Sequence, residues 1–321
     1  MIDKNQNDII KQWRGDVEIP IVSILCLTYN HEKFISEAID GFLMQKTNFP
    51  FEIIISDDFS LDDTLDVIRT YEAQYPNLIK VLNADKNQGV YKNAVKVLST
   101  CIGKYIAVCE GDDYWTDDKK LQKQFNLLDQ EDKLSGIYHS VNIVDENNNE
   151  IKKIPSNGKD YMNLPDFFDD YYQIPTCSIM FKNFFKFDGI HQYRRVFKGA
   201  NFILDYLLDA LIVDHGVYKY LDENMGCYRV TTNTGSFSSQ KISTVEDEML
   251  RTRSNLDRYY NYKYTKYLNK SKSKVRMSIL LKVLKQNGVL KFLQKFLELS
   301  FMHKIELIVE VFKYANYQYF K

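Results

Sequence analysis

The amino-acid sequence predicts an α/β fold with a doubly wound, mostly parallel sheet flanked by helices. Three observations predict it. Apolar runs typical of buried strands alternate with amphipathic helical patterns through the first half of the chain. The connections between them are short. Each run also ends in a polar cluster, as expected where a parallel sheet offers a ligand-binding edge at the carboxyl ends of its strands. With 321 residues, 45% hydrophobic and 14% aromatic, the chain holds enough apolar material for a large packed core.

Ile19–Leu27 is a continuous apolar run, the mark of a strand buried on both faces. Thr28-Tyr29-Asn30 ends it, and His31–Met44 carries a helical pattern through Phe34, Ile35, Ala38, Ile39 and Phe42. A second strand, Phe51–Ser56, runs into the turn Asp57-Asp58-Phe59-Ser60, followed by a helix over Leu61–Tyr75. Pro76 and Asn77 break the chain before strand Ile79–Leu82. The loop Asn83–Gly89 leads to a helix ending near Ser99, and the strand Tyr105–Val108 enters the stretch CEGDDYW, Cys109–Trp115. A further helix is expected over Lys119–Leu128, with Asp117 as the best-placed cap. Thr28–Asn30, Asp57–Ser60, Lys86–Gly89 and Glu110–Asp113 thus fall on one edge, and four clusters on one edge make a site.

Glu110, Asp112 and Asp113 are carboxylates that repel one another unless something neutralises them. Neither GxGxxG nor GxxxxGK[ST] follows the first strand, so a bound phosphate must be held by another device. A divalent cation on those acids is the simple choice, since Mg2+ and Mn2+ take hard oxygen ligands and need one or two carboxylates plus substrate phosphates. The histidines His31, His139, His191, His215 and His303 show no zinc spacing. No GxSxG elbow or nucleophilic-cysteine signature appears.

Five scattered cysteines without a CxxC pair fit a reduced, cytoplasmic setting. The polar opening MIDKNQNDIIKQWRGD is unlike a secretory leader, and no apolar run is long enough to span a membrane. Net charge is −1, but from Lys263 onward 13 Lys and Arg face 3 Glu, a balance of +10 against −11 for the rest. A boundary is expected near 245–265, with a basic tail. From Lys274 the tail is helical in pattern, with Gly288 between two amphipathic stretches. It is expected either to pack on the body or to rest on an anionic membrane surface.

Several stretches together resemble family-2 inverting glycosyltransferases of the GT-A fold, which use nucleotide-diphospho-sugars. These are VSILCLTYNHEKFI, EIIISDDFSLDDT, NQGVYKNAV, CEGDDYW and NFILDYLLDALIVDHGVYKYLDENMGCYRV, and the resemblance runs from about Val22 to about Gly235. It implies a GT-A domain over 21–245, after an N-terminal extension over 1–20. A nucleotide-sugar half would span 21–118 and an acceptor half 119–245, with a basic helical region over 246–321. It implies Thr28, Tyr29, Asn30, Asp57, Asp58, Lys86, Asn87, Gly89 and Arg229 as donor-binding residues. Metal binding falls to Asp112, Asp113 and Glu110, which stands where the family's D-x-D has its first acid. Asp205 is implied as catalytic base, with Asp209, four residues on, as the next candidate. Where the family's loop often continues Tyr-Arg-Val-His after Tyr228-Arg229, Thr231 or Thr232 stands in the histidine region here. The implied reaction moves a sugar from a donor, uridine-linked by the fit of Asp57 to a uracil ring N–H, to a saccharide or lipid-linked saccharide. The implied setting is bacterial surface polysaccharide or glycolipid synthesis. No nucleic-acid partner is expected. A non-catalytic nucleotide-sugar-binding subunit is the alternative, suggested by Glu110. The aromatic segment Lys152–Lys198 is expected to build a core or lid on the acceptor side, or to stack on sugar rings.

Overall fold

The computed structural model describes residues 5–155, 158–169, 174–197, 204–231, 242–300 and 303–305. Tyr171 and Tyr172 of the aromatic segment, Phe202, Ile203 and Thr232 of the family-like stretches, and the apolar tail positions Ile308, Val309 and Phe312 lie outside these residues.

Among the described residues ten strands form one sheet: β1 (Val22–Thr28), β2 (Phe51–Asp57), β3 (Ile79–Asn83), β4 (Tyr105–Val108), β5 (Tyr114–Trp115), β6 (Leu134–Val144), β7 (Glu150–Ile154), β8 (Tyr161–Met162), β9 (Met180–Lys182) and β10 (Val217–Arg229). The main path runs β3-β2-β1-β4-β9-β6-β10-β5, with β7 on β6 and β8 on β10. The strands β3, β2, β1 and β4 are mutually parallel. Antiparallel β9 joins them to β6, and β6 and β10 are parallel neighbours.

The helices are α1 (Gln6–Ile10), α2 (Ile35–Leu43), α3 (Thr64–Gln74), α4 (Val90–Leu98), α5 (Lys120–Gln130), α6 (Leu164–Asp169), α7 (Phe185–Asp188), α8 (Arg194–Phe197), α9 (Leu204–Asp214), α10 (Ile242–Tyr259) and α11 (Thr265–Glu298). Strand side chains alternate between faces, so each buried strand feeds two cores. Val22, Ile24, Ile53 and Ile55 pack with α2, α3 and α5, whereas Leu25 and Ile54 pack with α4, α6, α9 and α10. Each such isoleucine or leucine, at 3% exposure or less, contributes about 2 kcal/mol of apolar burial. The second core takes in most of the aromatic segment: Phe167, Phe168, Phe181, Phe184, Phe185 and Tyr193 are buried in it. Tyr161 is exposed, beneath the ammonium groups of Lys133 and Lys219.

Element boundaries differ from the sequence reading where a special backbone intervenes. Strand β1 begins at Val22 rather than Ile19, because Pro20 has no N–H to give to a ladder and Ile19 is exposed. Helix α2 begins at Ile35 rather than His31. Asn30 sits at φ +57°, and the turn after it bonds to the neighbouring loop instead. At Gly288 the structure follows the sequence: its φ of +80°, which suits glycine, separates two helices within the α11 range.

Candidate active site at the carboxyl edge of the parallel strands

The ends of β1 and β2 are laced together. Thr28 and Asp57 are paired in register, and the Asp58 N–H donates to Thr28 O at 3.0 Å. Asn30 N donates to Ser60 Oγ at 2.9 Å, Asn30 Oδ1 accepts from Leu61 N at 2.8 Å, and His31 N donates to Thr64 Oγ1 at 2.8 Å. Asp57, 1% exposed, accepts the Ser60 N–H at 2.9 Å and the Ser60 hydroxyl. Asp58, 4% exposed, accepts Gln88 N at 2.9 Å and Gly89 N at 2.8 Å, so it clamps the loop after β3 onto the end of β2. Gly89 lies at φ +84°, and Asn87 Oδ1 also accepts from its N–H at 3.1 Å. Lys86 is exposed on this loop, and Tyr29 is half-buried.

The acidic loop continues from β4 beside β1. Cys109 N donates to Leu25 O at 3.0 Å and Gly111 N to Leu27 O at 2.9 Å. Glycine is required at 111, because a Cβ there would meet Thr28 Oγ1 at 2.7 Å. That close approach sets Thr28, whose Oγ1 is buried without a hydrogen-bond partner, against the acids. Glu110 Oε2 is likewise buried and unpartnered. Desolvation, then the charge of Asp112, pushes the Glu110 carboxyl up to about 8, and the charge of Asp205 adds to the effect. Asp113, 2% exposed, is raised as well, by burial and by its two acidic neighbours. Its Oδ1 accepts the Arg229 N–H at 2.8 Å. Asp112 lies 3.7 Å from His31 Nε2 and keeps part of its carboxylate in solvent.

The three acids therefore differ. Asp113 is turned inward and engaged, whereas Glu110 and Asp112 hold unspent oxygen atoms and repel each other. Two carboxylates of this kind fit a hard divalent cation completed by substrate oxygens. Among the described residues no three His, Cys, Asp or Glu side chains converge as a ready-made metal site.

Arg229 stands apart from the expected diphosphate clamp. It is the last residue of β10, 3% exposed, and its donors are spent within the protein. Nε donates to Asp112 O at 2.9 Å, Nη1 to Asn148 Oδ1 at 2.7 Å and Asp145 O at 3.2 Å, and Nη2 pairs with Glu37. Its guanidinium also lies over the rings of Phe34 and Tyr114. So placed, Arg229 is a strut that ties the acidic loop to α2 and to the β6–β7 turn.

The first turn of α9 brings a further acid within electrostatic reach of Glu110. Asp205 is exposed, and its Oδ1 accepts the N–H of its own neighbour Tyr206 at 2.7 Å. Protein crowds around the carboxyl although the residue is exposed. That crowding raises its pKa above the ordinary carboxylate range, opposed by the Tyr206 N–H and the charge of Arg253. Asp209 differs: 5% exposed, it accepts the Tyr218 hydroxyl at 3.1 Å, and burial raises it far more strongly. Arg253, fully buried on α10, lies 4.2 Å over the Tyr206 ring, with Nε bonded to Ser271 Oγ at 2.8 Å and Nη2 unpartnered.

Sequence reasoning missed His31, Glu37 and Arg253. His31 follows the Thr28–Asn30 cluster directly, and that adjacency was the signal available. Glu37 and Arg253 gave none, since their roles come from partners far away along the chain.

With this geometry in view, comparison with known proteins agrees on a family. The description "Glycosyl transferase family 2" matches residues 23–188, just over half of the chain. The putative teichuronic acid biosynthesis glycosyltransferase TuaG of Bacillus subtilis is 33% identical over 109 residues, 34% of this chain and 42% of that protein. The uncharacterized protein Rv1520 of Mycobacterium tuberculosis is 43% identical over 134 residues, 42% of this chain and 39% of its own. The chain thus matches about two fifths of the length of each of these two relatives. Among solved structures, S. aureus TarS 1–349 in complex with UDP-GlcNAc superposes with a TM-score of 0.56 at 17% identity, covering 89% of this chain and 78% of that one. Mannosyltransferase PcManGT from Pyrobaculum calidifontis, in complex with GDP-Man and Mn2+, superposes at 0.50 and 12% identity, covering 91% and 84%. At such identities the likeness speaks for the fold, which is the GT-A type: a central curled sheet flanked by helices, here with added C-terminal helices. Sheet order, acidic loop and the match over residues 23–188 agree, and the chain belongs to glycosyl transferase family 2.

Proposed function

We propose that the protein transfers a sugar from a nucleotide-diphospho-sugar to an acceptor hydroxyl, with inversion at the anomeric carbon. The observation that carries this reading is an acid-rich loop with an exposed carboxylate within electrostatic reach of it. Asp205 lies close enough to Glu110 for its charge to help keep that group protonated, and it retains lone pairs for an incoming hydroxyl.

In the proposed reaction the nucleoside lies across the ends of β1 and β2, against Thr28, Tyr29, Asn30 and Asp57. Asp57 has lone pairs beyond those given to Ser60, and one of them accepts a uracil ring N–H, which favours a uridine donor. Asp58, Asn87 and Gly89 hold the next loop in place, and Lys86 on that loop reaches the diphosphate as a point charge. Glu110 and Asp112 are the residues to hold Mg2+ or Mn2+, with Asp113 fixing their loop from behind. When bound, such an ion offsets charge on the leaving diphosphate. Asp205 accepts the acceptor's proton as its oxygen attacks and the bond from sugar to diphosphate breaks. Single displacement on one face inverts the centre.

Two relatives support the donor class and the setting. TarS was crystallised with UDP-GlcNAc, and TuaG is named for teichuronic acid biosynthesis. A saccharide acceptor in bacterial surface polysaccharide synthesis, on the cytoplasmic side, follows as the setting we infer for this chain. The five cysteines, free and buried, suit that compartment.

A panel of nucleotide-sugars, each screened for thermal stabilisation with and without Mn2+, tests the reading. One donor should raise the melting temperature with metal present, and Asp112→Asn should erase the metal-dependent part. No stabilisation by any donor would sink the proposal. Stabilisation without donor hydrolysis or transfer would favour a nucleotide-sugar-binding subunit instead.

A further inference from the structure

The last described part of the chain is amphipathic the wrong way round for a packed helix. Before Gly288, Val275, Ile279 and Val283 of α11 are buried with Met249 and Leu250 of α10 packed against them, and Leu280 is buried too, with Leu281 exposed between. Beyond the kink, Leu290, Leu293 and Leu297 are 85%, 46% and 68% exposed. Their spacing of three and four puts them on one helical face. The polar edge is the one fastened to the body, through the ion pair of Lys295 with Glu246 of α10. The leucine face therefore looks away from the described body. Lys282 and Lys285 before the kink and Lys291 beyond it are exposed and form no ion pair among the described residues. Glu298 is the one acid in the described tail beyond Lys263, within a region whose balance is +10.

An outward leucine row beside unpaired lysines is the pattern of a helix that lies in a lipid interface, with apolar groups among the acyl chains and ammonium groups at the phosphates. No helix among the described residues is long and apolar enough to cross a membrane, so the contact would be one of the surface. A second copy of the chain is a poorer occupant, because it would bring the same positive region against this one. We propose that the Leu290, Leu293 and Leu297 face docks on an anionic lipid surface, with Lys282, Lys285 and Lys291 meeting the lipid phosphates. This inference stands apart from the catalytic reading: it needs neither donor nor metal.

The test is co-sedimentation of the full chain with vesicles of phosphatidylcholine alone, or with about 30 mol% phosphatidylglycerol added. Binding should require the anionic lipid and should fall at least about tenfold between low salt and about 0.5 M salt. The variant Leu290→Ser/Leu293→Ser/Leu297→Ser and the variant Lys282→Gln/Lys285→Gln/Lys291→Gln should each weaken binding about tenfold or more. Both change exposed side chains, so an unchanged melting temperature verifies that each is folded. Equal, negligible pelleting of the wild-type chain with both vesicle types would overturn the proposal. So would a wild-type dimer in light scattering that the leucine variant converts to monomer, since the face would then belong to a second copy.

Discussion

The donor edge and the first turn of α9 hold their carboxylates in opposite ways. At the edge, Asp57 and Asp58 are almost wholly buried, and each accepts two hydrogen bonds from the chain around it. On α9, Asp205 is exposed and accepts the N–H of the next residue. The difference teaches which acids build and which are left to act. A buried carboxylate bonded to the chain around it organises loops, even where, as at Asp57, it keeps a lone pair for a donor; an exposed one with most of its acceptor capacity in hand can take a proton or a cation. The same division separates Asp113, bonded to Arg229, from Glu110 and Asp112. It also separates Asp209, bonded to Tyr218, from Asp205.

Breaking the wiring should cost stability more than any change at Asp205. Asp58→Ala removes the acceptor of two backbone N–H groups and should destabilise the fold by about 2 kcal/mol, read from chemical denaturation. Asp58→Asn keeps one acceptor oxygen and should lose about half as much. If Asp58→Ala is as stable as wild type, the loop after β3 is not held as described. A smaller effect, on chemistry, sharpens the other side. Arg253 lowers the pKa of Asp205 against the raising effect of crowding. Proton abstraction needs the ionised form, so activity falls as pH drops through that pKa. Removing the Arg253 charge raises the pKa, and the acid limb of the kcat profile should move to higher pH in Arg253→Met. Arg253→Lys should restore it. Glu248 on α10 keeps its opposing charge in both variants, so the shift reports Arg253. A limb that stays in place would show that Arg253 only packs on Tyr206.

The parallel half was legible because its physics is local. Buried parallel strands read as unbroken apolar runs, and their polar ends must share one edge, so Thr28, Asp57, Gly89 and Asp112 came together from pattern alone. Beyond β5 the signals become long-range. Strand β10 draws partners from β5, β6 and β8, with register shifts at Leu221 and Asn224 that no short window carries. Arg229 read as a phosphate clamp because its four partners, from Glu37 to Asn148, are scattered along the chain. The tail was half legible. Its apolar periodicity marked helices, but periodicity does not say which face finds a partner, and Val283 and Leu290 read alike although one is buried and the other exposed.

Transfer and donor binding measured side by side in Asp205→Asn and Asp209→Asn test the central claim most directly. Asp205→Asn should bind donor as wild type does and lose about a hundredfold or more in turnover, the scale of a general base. Asp209→Asn should lose melting temperature, because a buried acid holding Tyr218 has been altered, while the turnover of the folded fraction stays within about tenfold of wild type. Near-normal turnover in Asp205→Asn, with collapse in Asp209→Asn, would contradict the assignment of the solvent-open acid as the base.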